Sequence, residues 1–204
     1  KIDINQIIEK NKAIISVFPG SRESEVKTLT PILIEFIELM NAKYNDFLYI
    51  FHSTKSQRSN LEELIKKSQI KNFEIISDEK IKDHILQKSV FAVSKSGTIS
   101  LEICKKKIPS VIIYKMNFLN FLIVKSLVKV KYANIFNIAA NQMIIPELLQ
   151  SKCNSKEIFN VVSSFLEDHG KIKKQIFNIE KILKSFRTTI LPTDLVANIL
   201  KERL

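Results

Sequence analysis

Glycine is nearly missing. The chain has 204 residues and only three glycines, Gly20, Gly97 and Gly170. An ordinary composition would carry about fourteen. The shortage excludes collagen-like, glycine-linker and glycine-rich low-complexity chains. Tryptophan is absent, and thirteen phenylalanines supply the large aromatic volume instead. Two cysteines, Cys104 and Cys153, make no disulfide framework and point to a reducing compartment. No apolar run approaches the ~20 residues that a membrane-spanning helix needs. The opening residues lack a signal-peptide pattern. The chain starts at Lys1 rather than methionine, as expected of a piece of a longer protein.

Acidic residues are missing from one long stretch. Between Ile103 and Pro146 there is no Asp or Glu, but there are seven lysines: Lys105, Lys106, Lys107, Lys115, Lys125, Lys129 and Lys131. Much of the net charge of +11 therefore sits in one part of the chain. The stretch also holds Phe118, Phe121, Ile123, Leu127 and Val128. Apolar bulk with unopposed lysine suits an anionic surface, whether lipid headgroup, nucleic acid or phosphorylated substrate. A buried helix with solvated lysines accounts for the same residues. Lys125, Ser126 and Lys129 form no single polar face. Arginine is scarce and no nucleic-acid-binding motif is present, so nucleic acid is not expected as a partner.

What is present is a folded composition, 45% hydrophobic and 26% charged, patterned as alternating strand and helix. Apolar runs predict strands at Ala13–Phe18, Phe47–Phe51, Phe73–Ile76, Val90–Val93 and Ser110–Tyr114. Helical periodicity falls between them, at Ser24–Met40, Ser56–Lys67, Asp78–Gln87 and Thr98–Lys106. A short extended piece is expected at Ala133–Phe136. After Pro146 the pattern is helical only, at Ser155–Glu167, Lys171–Leu183 and from Pro192 onward, with Gly170 ending a helix. This alternation predicts an α/β protein with a doubly wound parallel sheet. Such sheets bind ligands beyond the carboxyl ends of their strands.

Two of the glycines fall in such loops. Phe18-Pro19-Gly20-Ser21-Arg22 leads from the first strand into a helix, with Ser21 as the expected N-cap. Free helix amides and Arg22 suit phosphate oxygens, although Glu23 and Glu25 stand in the same turn. The same residues also read as an ordinary β–α turn with a surface arginine. Ser94-Lys95-Ser96-Gly97-Thr98 leads from the fourth strand into a helix. Ser96, Gly97 and Thr98 offer hydroxyls and amides, and Glu102 shares a helix face with Thr98. Glu102 also reads as a solvated residue favoured by the helix dipole. Neither turn is a Walker loop or a GxGxxG. His52, His84 and His169 lack metal spacing. His52 ends a strand at the cleft edge, where a structural role competes with a functional one. Cys104 sits inside a helix and reads as core rather than nucleophile, and Cys153 has no partner motif.

Pro19-Gly20-Ser21-Arg22 with Glu25-Val26, Ser94-x-Ser96-Gly97-Thr98 with Leu101-Glu102, Pro109, Tyr114-Lys115 and Pro146-Glu147-Leu148-Leu149-Gln150 follow one another at consistent spacings. From about Ala13 onward the ordered set resembles the C-terminal half of the lipid-A-disaccharide synthase family. The resemblance implies a Rossmann-like domain, one half of a GT-B glycosyltransferase. Residues 1–150 would form the UDP-sugar-binding domain. Residues 151–204 would be helices packed on it, on a missing N-terminal half or on a partner subunit.

It further implies an inverting transfer from UDP-2,3-diacylglucosamine to 2,3-diacylglucosamine 1-phosphate (lipid X), with release of UDP and no metal or cofactor. The work would be done at the cytoplasmic face of a bacterial inner membrane, with a homodimer as one possible state. The missing half would carry much of the acceptor site and the general base. By motif, Arg22 and Asn137 are the catalytic candidates. Gly20, Ser21, Arg22, Ser96, Gly97, Thr98, Glu102, Glu147 and Gln150 are the UDP-sugar-binding candidates. Phe136 stands where the family has proline, and Lys95 where a small residue is usual. The apolar lysine-rich segment would then face membrane or acyl chains. Other UDP-sugar enzymes of the same fold, an epimerase or a peptidoglycan glycosyltransferase, and a non-catalytic membrane-surface module are the alternatives.

Overall fold

The computed structural model describes residues 12–116 and 131–186. Lys125 and Lys129, most of the apolar part of the lysine-rich stretch and the helix expected from Pro192 lie outside the described residues.

Six strands form one sheet: β1 (Ala13–Phe18), β2 (Phe47–His52), β3 (Phe73–Ile76), β4 (Ser89–Lys95), β5 (Ser110–Tyr114) and β6 (Glu147–Leu149). Their order is β3-β2-β1-β4-β5-β6, and every pairing is parallel. The helices are α1 (Glu23–Lys43), α2 (Arg58–Lys66), α3 (Glu79–Lys88), α4 (Ile99–Lys105), α5 (Ile135–Ala140), α6 (Ser155–Glu167) and α7 (His169–Ser185). The doubly wound sheet expected from the sequence is thus present. The strand order reverses between β1 and β4, which is where a crevice opens in sheets of this kind.

Strand periodicity divides the core between the two faces. Ile15 and Val17 of β1 point to the side covered by α1, α2 and α6, where they join Val26, Leu33, Phe36, Tyr49, Phe51, Leu61, Ile158 and Val162. Ile14 and Phe18 point the other way, towards Ile85 and Leu86 of α3 and Ile103 of α4. Beyond them, Phe136 of α5 and Ile179 of α7 pack with Cys104 and Ile112. Gln175 fastens α7 to the sheet. Its side chain accepts from the Ser110 amide at 2.8 Å and donates to the Ser110 carbonyl at 3.0 Å.

Three local expectations are corrected. The piece at Ala133–Phe136 is not extended; helix α5 begins at Ile135, capped by Asn134, whose side chain accepts from the Phe136 amide at 2.9 Å. The region after Pro146 is not purely helical, because Glu147–Leu149 pairs with β5 as the edge strand. Gly170 does not end a helix. It lies in the first turn of α7, where Asp168 accepts from its amide at 2.8 Å. Among the described residues, no helix is long and apolar enough to cross a membrane.

Candidate functional site

The carboxyl ends of β1 and β4 carry the two glycine turns, and a cavity of about 260 Å³ opens between them. One wall is the first turn, with Gly20, Ser21 and Glu25. The opposite wall is the second turn, with Lys95, Ser96, Gly97 and Thr98, continuing to Glu102 on α4. Phe18 and His52 form the floor, and Glu79 and Lys82 of α3 close one side. Residues far apart in sequence meet because β1 and β4 are neighbours in the sheet.

The first turn is built around Glu25. Helix α1 starts at Glu23 with Arg22, not Ser21, at its N-cap position. The Glu25 carboxylate reaches back and accepts from the amides of Ser21 and Arg22 at 3.0 and 3.3 Å. It also accepts from Lys95 Nζ at 2.9 Å and from Arg22 Nη1 at 3.4 Å. Burial opposes its ionisation. Lys95 and the two amides outweigh that and hold the carboxyl below its ordinary range. Gly20 adopts φ +116°, and a Cβ there would stand 2.5 Å from Glu25 Oε2. Glycine is therefore required at this position. Gly97 is different: a Cβ there would meet nothing within 4 Å. Arg22 lies at the surface, with 78% of its side chain exposed.

Lys82 reaches the opposite side of the cavity, where it pairs with Glu79 and, at 3.2 Å, with Glu102. Burial disfavours its charge, but the two carboxylates outweigh this and raise its pKa.

The floor is neutral. The His52 ring stacks on Phe18 with centroids 4.2 Å apart. A chain of hydrogen bonds fixes its tautomer. Ser89 Oγ donates to the Ile85 carbonyl at 3.0 Å, so Ser16 Oγ must donate to Ser89 Oγ at 2.7 Å. The Ser16 hydroxyl then accepts from His52 Nε2–H at 2.9 Å. Nδ1 is left as an unprotonated acceptor, buried and without a partner. Burial, assisted by the positive charge of Lys82, pushes the His52 pKa down to about 3.

Asn137, Glu147 and Gln150 lie outside the cavity lining and hold the loop beside it. Glu147 accepts from the Ala133 and Asn134 amides at 2.8 and 2.9 Å and from Asn137 Nδ2 at 2.7 Å. Asn137 Oδ1 accepts from the Ile144 and Ile145 amides at 2.8 and 2.9 Å. Its Nδ2 also donates to the Ile145 carbonyl at 2.7 Å. The loop they hold bears on the second turn, since Ser96 Oγ donates to the Ala133 carbonyl at 3.1 Å. Gln150, at φ +52°, accepts from the Met116 amide at 2.9 Å.

The structure therefore brings Gly20, Ser21, Ser96, Gly97, Thr98 and Glu102 to one cavity. It puts Arg22 at the cavity rim and Asn137, Glu147 and Gln150 behind its wall. Sequence reasoning missed Lys82 and Glu79. Their only signal was a spacing of three residues at the start of a helix following a strand. It also missed the pairing of Lys95 with Glu25. His84 and His169 are exposed, and neither lines the cavity. Cys104 and Cys153 are both buried, and burial raises their thiols to about 12 and 11, away from the thiolate form. Among the described residues, no cluster of His, Cys, Asp or Glu is arranged to hold a metal.

Comparison with known proteins bears on the whole chain. The profile of the family described as lipid-A-disaccharide synthetase matches residues 3–197. The lipid-A-disaccharide synthase of Sulfurihydrogenibium sp. (strain YO3AOP1) is 34% identical over 186 residues, which is 87% of this chain and 48% of the relative. This chain thus spans about half the length of the curated relatives it matches. Among solved structures, the C-terminal domain of a group 1 family glycosyl transferase (LpcC) from Francisella tularensis superposes with a TM-score of 0.58. It is 14% identical, and the match covers 93% of this chain and 95% of that one. A co-structure of S. aureus MnaA with UDP superposes with a TM-score of 0.54 at 14% identity, covering 90% of this chain and 47% of that one. At these identities the two structures show a shared fold.

Proposed function

The chain belongs to the lipid-A-disaccharide synthase family, and on that premise we propose that it is the UDP-sugar-binding half of such a glycosyltransferase. The reaction would join UDP-2,3-diacylglucosamine to lipid X and release UDP. The observation that carries this reading is the cavity at the β1–β4 switch point, where two helix-opening turns converge. The S. aureus neighbour solved with UDP has the same fold and supports a nucleotide ligand.

In this reading the diphosphate lies between the two turns. The amides of Ser21 and Arg22, the Thr98 hydroxyl and the Lys95 ammonium face its oxygens, and Ser96 lines the seat with its hydroxyl on the Ala133 carbonyl. Glu102 accepts the ribose hydroxyls, and Lys82 fixes that carboxylate from one side. Breaking the sugar–phosphate bond moves negative charge onto departing UDP. Donors supplied by β1, β4 and their helices stabilise that charge. Arg22 swings inward from the rim and adds a guanidinium to the same oxygens. Asn137 and Glu147 act as positioning residues through the loop that receives Ser96.

The general base and most of the acceptor site belong to the other half of the enzyme, so this chain alone binds UDP and does not catalyse transfer. The lysine-rich apolar segment serves the lipid side of the substrates at the inner membrane surface. Titration of the chain with UDP, followed by calorimetry or by amide chemical shifts, tests the reading. Binding with shifts at Gly20, Ser21, Ser96 and Thr98 is expected. No binding at millimolar UDP would refute it.

A further inference from the structure

The donors of the first turn already hold an anion. Two successive backbone amides, those of Ser21 and Arg22, point at one carboxylate, and the Lys95 ammonium and the Arg22 guanidinium meet it from other directions. A phosphate group would use the same donors. The carboxylate belongs to Glu25, and it lies against the bare face of Gly20, within 2.5 Å of where a Cβ would be. That face is where a ligand approaches a glycine turn most closely.

Charge around the cavity points the same way. Two lysines, Lys82 and Lys95, face three carboxylates, Glu25, Glu79 and Glu102. Each lysine is already paired, Lys95 with Glu25 and Lys82 with Glu79 and Glu102. A diphosphate entering this arrangement would gain no free lysine and would meet repulsion from Glu25.

We propose that Glu25 is a resident anion in the diphosphate seat, and that a nucleoside diphosphate binds by displacing it. The inference rests on the UDP-sugar reading of the cavity and adds an exchange step to it. Glu25 stands in the first turn of α1, so a change of its side-chain rotamer vacates the seat while the helix stays in place. The exchange releases two amides and the Lys95 ammonium together. Before the nucleotide arrives, the carboxylate keeps those donors aimed and their charge compensated. The exchange thus lowers affinity for any anion too weak to win the full donor set, which favours a diphosphate over a single phosphate.

The test compares the wild-type chain with Glu25→Gln, titrated with inorganic pyrophosphate, UDP and uridine. Removing the competing charge is expected to tighten pyrophosphate and UDP binding by about tenfold, with uridine unaffected. In the wild type, saturation with pyrophosphate is expected to move the Ser21 and Arg22 amide signals and to shift the Glu25 side-chain carboxyl ¹³C signal. Equal or weaker pyrophosphate binding by a folded Glu25→Gln chain would overturn the exchange and make Glu25 a positioning residue for Lys95. If the variant does not fold, the wild-type carboxyl signal decides, and a signal unmoved at saturation overturns the proposal. Binding of UDP without displacement sinks the exchange alone. Absence of UDP binding to both chains sinks the cavity reading and the exchange with it.

Discussion

The Glu147 carboxylate at the start of β6 and the Asn137 side chain of α5 meet at 2.7 Å, both buried. Between them they accept from four backbone amides, those of Ala133, Asn134, Ile144 and Ile145. This pair ties the edge of the sheet to the loop that touches Ser96.

Asn137→Ala strips partners from Glu147 and from two buried amides at once. Unsatisfied buried polar groups of this kind cost about 2–4 kcal/mol together. Urea or thermal unfolding should show that loss. A variant as stable as the wild type would contradict the role given to the pair.

Arg22→Ala should do the opposite. The side chain is 78% exposed and its ion pair with Glu25 is long, so stability should change by less than about 0.5 kcal/mol. In the complete enzyme, turnover should fall by orders of magnitude, on the order of 10²-fold or more for a lost charge-stabilising donor. Near-wild-type turnover would remove Arg22 from the mechanism.

Gly20→Ala and Gly97→Ala form a contrasting pair. The first forces an L-residue to φ +116° and drives a Cβ into Glu25. It should cost about 1–3 kcal/mol and weaken UDP binding. The second meets open space and should be nearly neutral for stability. Equal effects at the two positions would contradict the geometry.

His52 makes a pH prediction. Burial, with Lys82 nearby, pushes its pKa from the ordinary 6.5 down to about 3 in the folded chain. Between those values the unfolded chain binds more protons, so this group contributes stability that is lost as pH falls from 6.5 towards 3. His52→Gln, which keeps a donor for Ser16, should flatten that part of the stability profile. An unchanged slope would mean that His52 takes up its proton alike in the folded and unfolded chain, in conflict with its burial.

The sequence carried the frame of the fold well because parallel strands buried on both faces read as continuous apolar runs, as in Phe47–Phe51 and Val111–Ile113. It failed at β6 because three residues beginning with a glutamate show neither period nor apolar run. The burial of Glu147 depends on amides from a loop more than ten residues away. It failed at α5 because a six-residue helix shows little periodicity.

At the site, the two turns were legible because glycine, serine and threonine at strand ends have few other uses. The Lys95–Glu25 pair was not legible. Its members are seventy positions apart and meet only because β4 lies beside β1, an order that local pattern does not encode. The scarcity of glycine was informative at one turn more than the other: Gly20 needs its conformation, and Gly97 does not.

The most direct measurement of the central claim is a UDP titration of this chain, read by two-dimensional amide spectra. The account predicts saturable binding at about millimolar UDP or below, with the largest shifts at Gly20, Ser21 and Ser96–Thr98. A spectrum unchanged at millimolar UDP, or shifts confined to residues away from the β1 and β4 turns, would contradict it.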